Sequence, residues 1–204
     1  EQLLHFIKAR GASRAMSRPI NMPANHQLEV PVYFCRHAES TYNAHGDSSP
    51  DVPLSERGRA QAKALSGHYH IVLCSPMQRA RQTIELSKIT YSKMLVVPEL
   101  REVVSVSSDQ LAHERSWHET GSQAQERCAA VLQLLKSEAA AAAAAGGSPR
   151  ILLVSHCVFG GRLYAHCNAD SPRCPKLRNA AIVPFPVTTL SGQKSQRNGK
   201  MAGL

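Results

Sequence analysis

The 204 residues, 43% of them hydrophobic, suffice for one domain with a sizeable core, and no apolar run is long enough to cross a membrane. The formal net charge of +9 favours acidic partners: phosphorylated small molecules, phosphoproteins or nucleic acid. Aromatic residues make up only 5%, with no aromatic-interleaved basic patch, which argues against a stacking platform for single strands and sets nucleic acid aside.

The first thirty residues have no regular apolar periodicity after Ile7, and between Glu1 and Glu29 they carry Lys8, Arg10, Arg14 and Arg18 but no acid. That composition suits a mitochondrial presequence or a loosely attached basic arm. The reading taken is an arm over 1–30 on a cytoplasmic protein, with mitochondrial targeting left open. A catalytic domain is expected over 31–187 and a polar, basic tail over 188–204.

Val32-Tyr33-Phe34-Cys35 is an apolar run that predicts a short buried strand, and it switches at once to Arg36-His37. Arginine offers a planar fork of donors for phosphate oxygens, and histidine serves as acid, base or nucleophile near neutral pH. Thr41 to Pro53 is rich in Asn, Gly, Asp, Ser and Pro and predicts a loop. Ser55 is placed to cap a helix whose face carries Gly58, Ala62 and Leu65. Ile71-Val72-Leu73-Cys74 predicts a second strand. It stops at Ser75-Pro76, and a helix with Arg79, Arg81 and Gln82 in its first turns follows. A helix start suits an anion.

Met94 to Val97 predicts a third strand ended by Pro98, with Glu99 and Glu102 immediately after. Ser105 to Gly121 is polar and predicts a loop or short helices over the site, with Trp117 as part of its cover. Cys128, Val131, Leu132 and Leu135 form a helical stripe that runs into Ala139 to Ala145 and ends at Gly146-Gly147. Ile151 to Val154 predicts a fourth strand, closed by Ser155-His156, and Gly160 to Leu163 start or continue a helix. Ala180 to Phe185 predicts a last strand whose Pro184 and Pro186 place it at an edge or an exit.

Strands alternate with helices, so the expected fold is α/β, a mostly parallel central sheet flanked by helices on both faces. One Arg-His pair at a strand end is more often a cap than a catalyst. Here four strand ends carry Arg36-His37, Arg79, Glu99 or Glu102, and His156, and a parallel sheet brings such ends to one edge. The six cysteines include no CxxC pair, and Cys35 and Cys74 read as small core residues of a reduced protein. Cys157, His166, Cys167 and Cys174 fit no zinc spacing, so no metal and no cofactor is expected.

In chain order these segments resemble the motifs of the histidine phosphatase superfamily, the phosphoglycerate mutase-like proteins, over about residues 31–185. Arg36-His37-Ala38-Glu39-Ser40 is similar to the Arg-His-Gly-Glu signature, with Asn43 at the position of a phosphate-contacting Asn. The stretch Leu54 to Ala62 is similar to the helix-opening motif, and Ser75 to Thr83 to the second arginine motif. Leu100-Arg101-Glu102 resembles the segment that supplies the acid, which favours Glu102 over Glu99. Val154-Ser155-His156 resembles the second histidine motif. Three departures stand out. Ala38 replaces Gly. Cys157 follows the second histidine where Gly is usual, which would cost something if that position needs positive φ or close phosphate approach. The segment between Glu102 and His156 is short beside that of mutases.

The resemblance implies that His37 becomes a phosphohistidine, that Arg36, Asn43, Arg79 and His156 hold phosphate oxygens, and that Glu102 supplies and recovers a proton. Catalysis would then rest on His37, Glu102 and His156, in a metal-independent hydrolase of phosphorylated small molecules or phosphoproteins. Phosphoglycerate mutase and a non-catalytic phospho-ligand-binding protein are the alternatives. Arg81 and Arg101 are expected to be rim charges, and His45, His113 and His118 to lie in bordering loops. Oligomeric state is not legible in the sequence.

Overall fold

The structure is a computed structural model, and it describes residues 30–113, 119–146, 149–168 and 174–187. The expected arm up to residue 29, the tail from 188, Trp117 and His118 lie outside the described residues. Strands β1 (Val32–Arg36), β2 (Ser66–Cys74), β3 (Lys88–Val96), β4 (Ile151–Ser155) and β5 (Ile182–Pro184) form one sheet in the order β3-β2-β4-β1-β5. All pairs are parallel except β1 with β5. The central strands are the apolar runs, because both their faces are covered. Helices α4 (Gly121–Ala144) and α5 (Cys157–Cys167) cover one face, where Phe34, Leu73 and Leu153 meet Cys128, Val131, Leu135 and Phe159. Helix α3 (Gln78–Glu85) covers the other, where Ala80 and Ile84 meet Val72, Leu152 and Val154. The expected α/β architecture is therefore present.

Three expectations change. Thr41–His45 forms a short helix, α1, inside the segment read as loop. Ser40 caps it, its Oγ accepting from the Asn43 N–H, and Gly46 ends it at φ 73° in the left-handed region. Strand β2 starts at Ser66, not Ile71, and β3 starts at Lys88, not Met94. The first half of β2 is polar because its pairing with β4 starts only at Ile71, and that of β3 because β3 is an edge strand with one exposed face, which Lys88 and Lys93 suit. The last strand is shorter than expected, Ile182–Pro184 rather than Ala180 to Phe185, while the helix after β4 begins at Cys157 and Gly160 continues it, as expected.

Helix α2 (Glu56–Ala64) starts at the Ser55 cap, as its sequence dictates, and rests on the loop after β1. A methyl group at Gly58 would run into the Glu39 carbonyl, so only glycine permits this approach. The six cysteines are free thiols. Burial pushes those of Cys35 and Cys74 up to about 12, which leaves them inert core groups. Among the described residues no group of three or more His, Cys, Asp or Glu side chains is placed to hold a metal ion. No helix among them is long and apolar enough to cross a membrane.

Candidate active site

Parallel pairing of β1 with β4 sets Arg36 opposite Ser155, so His37 and His156 each stand one residue beyond neighbouring strand ends. The His37 N–H donates to the Ser155 carbonyl at 2.9 Å, and the two imidazole centroids lie 5.0 Å apart. Arg79 reaches the same sheet edge from α3. A pocket of about 230 Å³ opens there, lined by Arg36, His37, Asn43, Arg79 and Glu102 of the sequence-predicted set. His156 is fully buried beside His37 and is not part of the pocket wall. Glu99, Arg81, Arg101, His45 and His113 do not line the pocket either. Arg81 pairs with Glu85 one helical turn on, at the exposed face of α3.

The His37 ring is oriented by its Nδ1, 2.7 Å from the Ala38 carbonyl oxygen. A carbonyl can only accept, so Nδ1 carries the hydrogen and Nε2 keeps its lone pair. Burial, and then the Arg79 guanidinium, hold the imidazole well below the usual histidine range, so it is neutral at pH 7. The loop that presents it is pinned from several sides. Thr83 Oγ1 accepts from the Ala38 N–H at 2.9 Å, and Asn179 Nδ2 donates to the His37 carbonyl at 2.9 Å. Ala38 is fully buried, so the departure from Gly is accommodated by a methyl group packed in the core.

Arg36 donates through Nη1 to the Leu177 carbonyl at 3.2 Å. Arg79 is 3% exposed. Its Nη1 donates to the Ser108 carbonyl at 2.8 Å, and its Nη2 lies 3.3 Å from Asp109 Oδ1. Asn43 uses its Oδ1 to accept from the Ser40 N–H and from Asn179, which turns its amide donors to other partners. Cys157 is not among the positive-φ residues and takes the first position of α5, so a side chain there meets no backbone penalty.

Glu102 is 7% exposed, and its carboxyl accepts from the N–H groups of Val103 at 2.9 Å, Val158 at 3.2 Å and Phe159 at 2.8 Å. Burial raises its pKa, against the opposing pull of those three donors. The segment before it is clamped by Arg127 on α4. Arg127 donates to the carbonyls of Glu99 at 2.7 Å and Arg101 at 2.9 Å, pairs with Glu119 through Nη2 at 2.6 Å, and stacks on the Phe159 ring at 4.5 Å.

His156 places Nε2 2.8 Å from Ser75 Oγ, and that hydroxyl oxygen accepts from the Met77 N–H at 3.3 Å. Burial, then Arg79, hold His156 well below its usual range too. Among the described residues, three buried side-chain atoms have no partner within the chain: Arg36 Nε, His156 Nδ1 and Ser108 Oγ. All three belong to residues of this site. Buried polar atoms without partners are rare, and their gathering at one spot marks a place for a polar ligand. Sequence reading missed Ser75, Ser108, Asp109, Arg127 and Asn179. For Ser75 and Asp109 a signal existed, since one closes an apolar run and the other lies in the polar segment assigned to the site.

The family profile described as histidine phosphatase superfamily (branch 1) matches residues 32–189. The chain belongs to the histidine phosphatase superfamily. A curated relative, the 6-phosphofructo-2-kinase/fructose-2,6-bisphosphatase of Caenorhabditis elegans, is 33% identical over 103 residues. That stretch is 42% of this chain and 22% of the relative, so the chain spans well under two thirds of that protein's length. Among solved structures, the alpha-ribazole phosphatase of Shigella flexneri aligns with a TM-score of 0.53 at 21% identity, covering 74% of this chain and 88% of that one. A phosphoserine phosphatase of Entamoeba histolytica, solved with 3-phosphoglyceric acid, aligns at 0.52 and 17% identity, with 74% and 88% covered. At such identities the likeness establishes the fold alone.

Proposed function

We propose that the protein is a metal-independent phosphomonoesterase that works through a phosphohistidine on His37. The observation that carries this reading is the Nδ1 contact to the Ala38 carbonyl, which leaves an unprotonated Nε2 in a pocket walled by two arginines and a buried carboxyl group. The Nε2 lone pair attacks phosphorus in line with the ester oxygen, and the P–O bond breaks. Arg36 and Arg79 compensate the charge on the equatorial oxygens, with Asn43 as a further donor. The Ser75 hydroxyl, accepting from Met77, has its own hydrogen to give to His156 Nε2. His156 then carries its hydrogen on Nδ1, an atom without a partner among the described residues, and donates it to a phosphoryl group that seats past the pocket wall against His37.

Protonated Glu102 gives its proton to the departing alkoxide, and burial favours that protonated form. The resulting carboxylate takes a proton from water as the water attacks phosphorus. The N–P bond breaks, phosphate leaves and both residues return to their starting states. Substrates are phosphorylated small molecules or phosphoproteins.

The test is to trap the intermediate. The protein is mixed with a ³²P-labelled monoester and quenched in alkaline detergent. Label stable in base, lost in acid and absent from His37→Ala supports the reading. Label on another residue, or turnover that survives in His37→Ala, overturns it.

A further inference from the structure

Six large hydrophobic side chains are exposed among the described residues, and they fall into two groups. Tyr91, Met94 and Val96 lie on the edge strand β3. Tyr42, Val106 and Val158, at 38%, 38% and 47% exposure, all line the active-site pocket. These three come from separate elements: α1, the turn before Ser107–Asp109, and the first turn of α5. Single exposed apolar side chains are ordinary, but three that converge on one opening form an apolar collar around a charged floor.

The ionisable side chains below the collar are few. Arg36 and Arg79 face Glu102 and Asp109, and among the described residues no lysine and no further arginine lines the pocket. One transferring phosphoryl dianion engages both guanidinium groups. A second phosphate or a carboxylate at the mouth would lose water against Val106 and Val158 with no further cation among the described lining residues to replace it, and would face Asp109. The volume, about 230 Å³, lies below the roughly 300–1,000 Å³ of sites for drug-sized ligands, so it holds a phosphoryl group and one compact group.

We propose, resting on the phosphomonoesterase reading, that the substrates are phosphomonoesters whose alcohol part is apolar or aromatic at the ester end and bears no second anionic group. Such a group lies against Tyr42, Val106 and Val158 while phosphorus meets His37. The class excludes phosphoglycerates and bisphosphorylated sugars as good substrates.

The experiment compares kcat/KM for 2-naphthyl phosphate, 3-phosphoglycerate and fructose 2,6-bisphosphate in the wild-type chain and in Val106→Lys and Val158→Lys. Both positions are exposed, and melting curves check that the variants fold. The naphthyl ester is expected to lead by at least about tenfold, the order of discrimination an apolar pocket achieves. Each lysine should narrow that ratio, lowering the naphthyl rate and raising the doubly charged ones. Equal or better turnover of the charged esters by the wild type, or a ratio that neither lysine moves, overturns the proposal while leaving the phosphatase reading intact. No turnover of any of the three esters or of p-nitrophenyl phosphate overturns both.

Discussion

The main-chain N–H of Phe159 donates to Oε1 of Glu102 at 2.8 Å, across 57 residues of chain. Helix α5 opens on His156, whose side chain caps nothing, and the Glu102 carboxyl takes over that role for the first turn. The same group is thus a helix cap and the proposed acid. Capping fixes where its oxygens lie, and burial raises its pKa.

Glu102→Gln should lower turnover of alkyl phosphates by about 10²–10⁴-fold, the usual contribution of a proton donor, while Glu99→Gln changes little. With p-nitrophenyl phosphate, whose leaving group needs no proton, the gap should shrink. Because the folded pKa is raised, the protonated acid persists above the ordinary carboxyl range and is lost as pH rises through the raised value. Alkyl ester rates should fall there and aryl rates should not. Equal pH profiles for the two ester types would refute the assignment.

Arg127 acts on Glu102 through the backbone and through the Phe159 ring. Arg127→Ala should reproduce the leaving-group signature of Glu102→Gln, with alkyl rates falling more than aryl ones. It also strands the fully covered Glu119 carboxylate, an unpaired buried charge that costs about 3–5 kcal/mol. The double variant Arg127→Met with Glu119→Leu removes that charge and should recover stability but not alkyl turnover. A uniform loss over both ester types would reduce Arg127 to a purely structural residue.

Gly58→Ala places a methyl group against the Glu39 carbonyl in a backbone-to-backbone contact. The expected loss is about 1–3 kcal/mol, the typical cost of overpacking, read from the urea midpoint. An unchanged midpoint would mean that α2 can shift away from the loop.

Stability should also depend on pH through the two buried histidines. Both have folded pKa values well below 6.5, so the unfolded chain binds protons in the window beneath 6.5 that the folded chain refuses. Stability is therefore fully present above that value and falls as pH drops, by up to about 1.4 kcal/mol per pH unit for each histidine. Glu102 works in the opposite sense, since its raised pKa favours the folded chain at low pH until the carboxyl group ionises. His156→Asn should flatten the fall when urea unfolding is compared at pH 7 and 5.5. A slope identical to that of the wild type would show that His156 is not held neutral.

Much of this was written in short stretches. The central strands β1 and β4 are unbroken apolar runs, and Arg36, His37 and His156 stand where those runs stop. The stripe from Cys128 to Leu135 announced α4. Helix α1 was legible in principle, since Ser40 with Asn43 and Gly46 are its cap and stop, but its Asn- and Ser-rich composition read as loop. The first halves of β2 and β3 carry little apolar signal because β2 pairs with β4 only from Ile71 on and β3 is the edge strand. Asp109 and Arg127 were hidden for another reason. Each is a polar residue in a polar neighbourhood, and its meaning comes from a partner about 25–30 positions away that only the folded chain supplies.

The carbonyl that anchors Arg36 belongs to Leu177, 141 residues later. Strand β1, which ends beside the proposed nucleophile, is thus made long before the segments that complete its surroundings. Contacts of such separation must close a long loop before they return any stabilisation, so they form late and slowly. On the ribosome, β1 waits through the synthesis of β2, β3 and α4 before β4 arrives beside it. A refolding trace should accordingly show helix signal first, with phosphate binding regained only in the final phase, when β4 and β5 close on the two sides of β1.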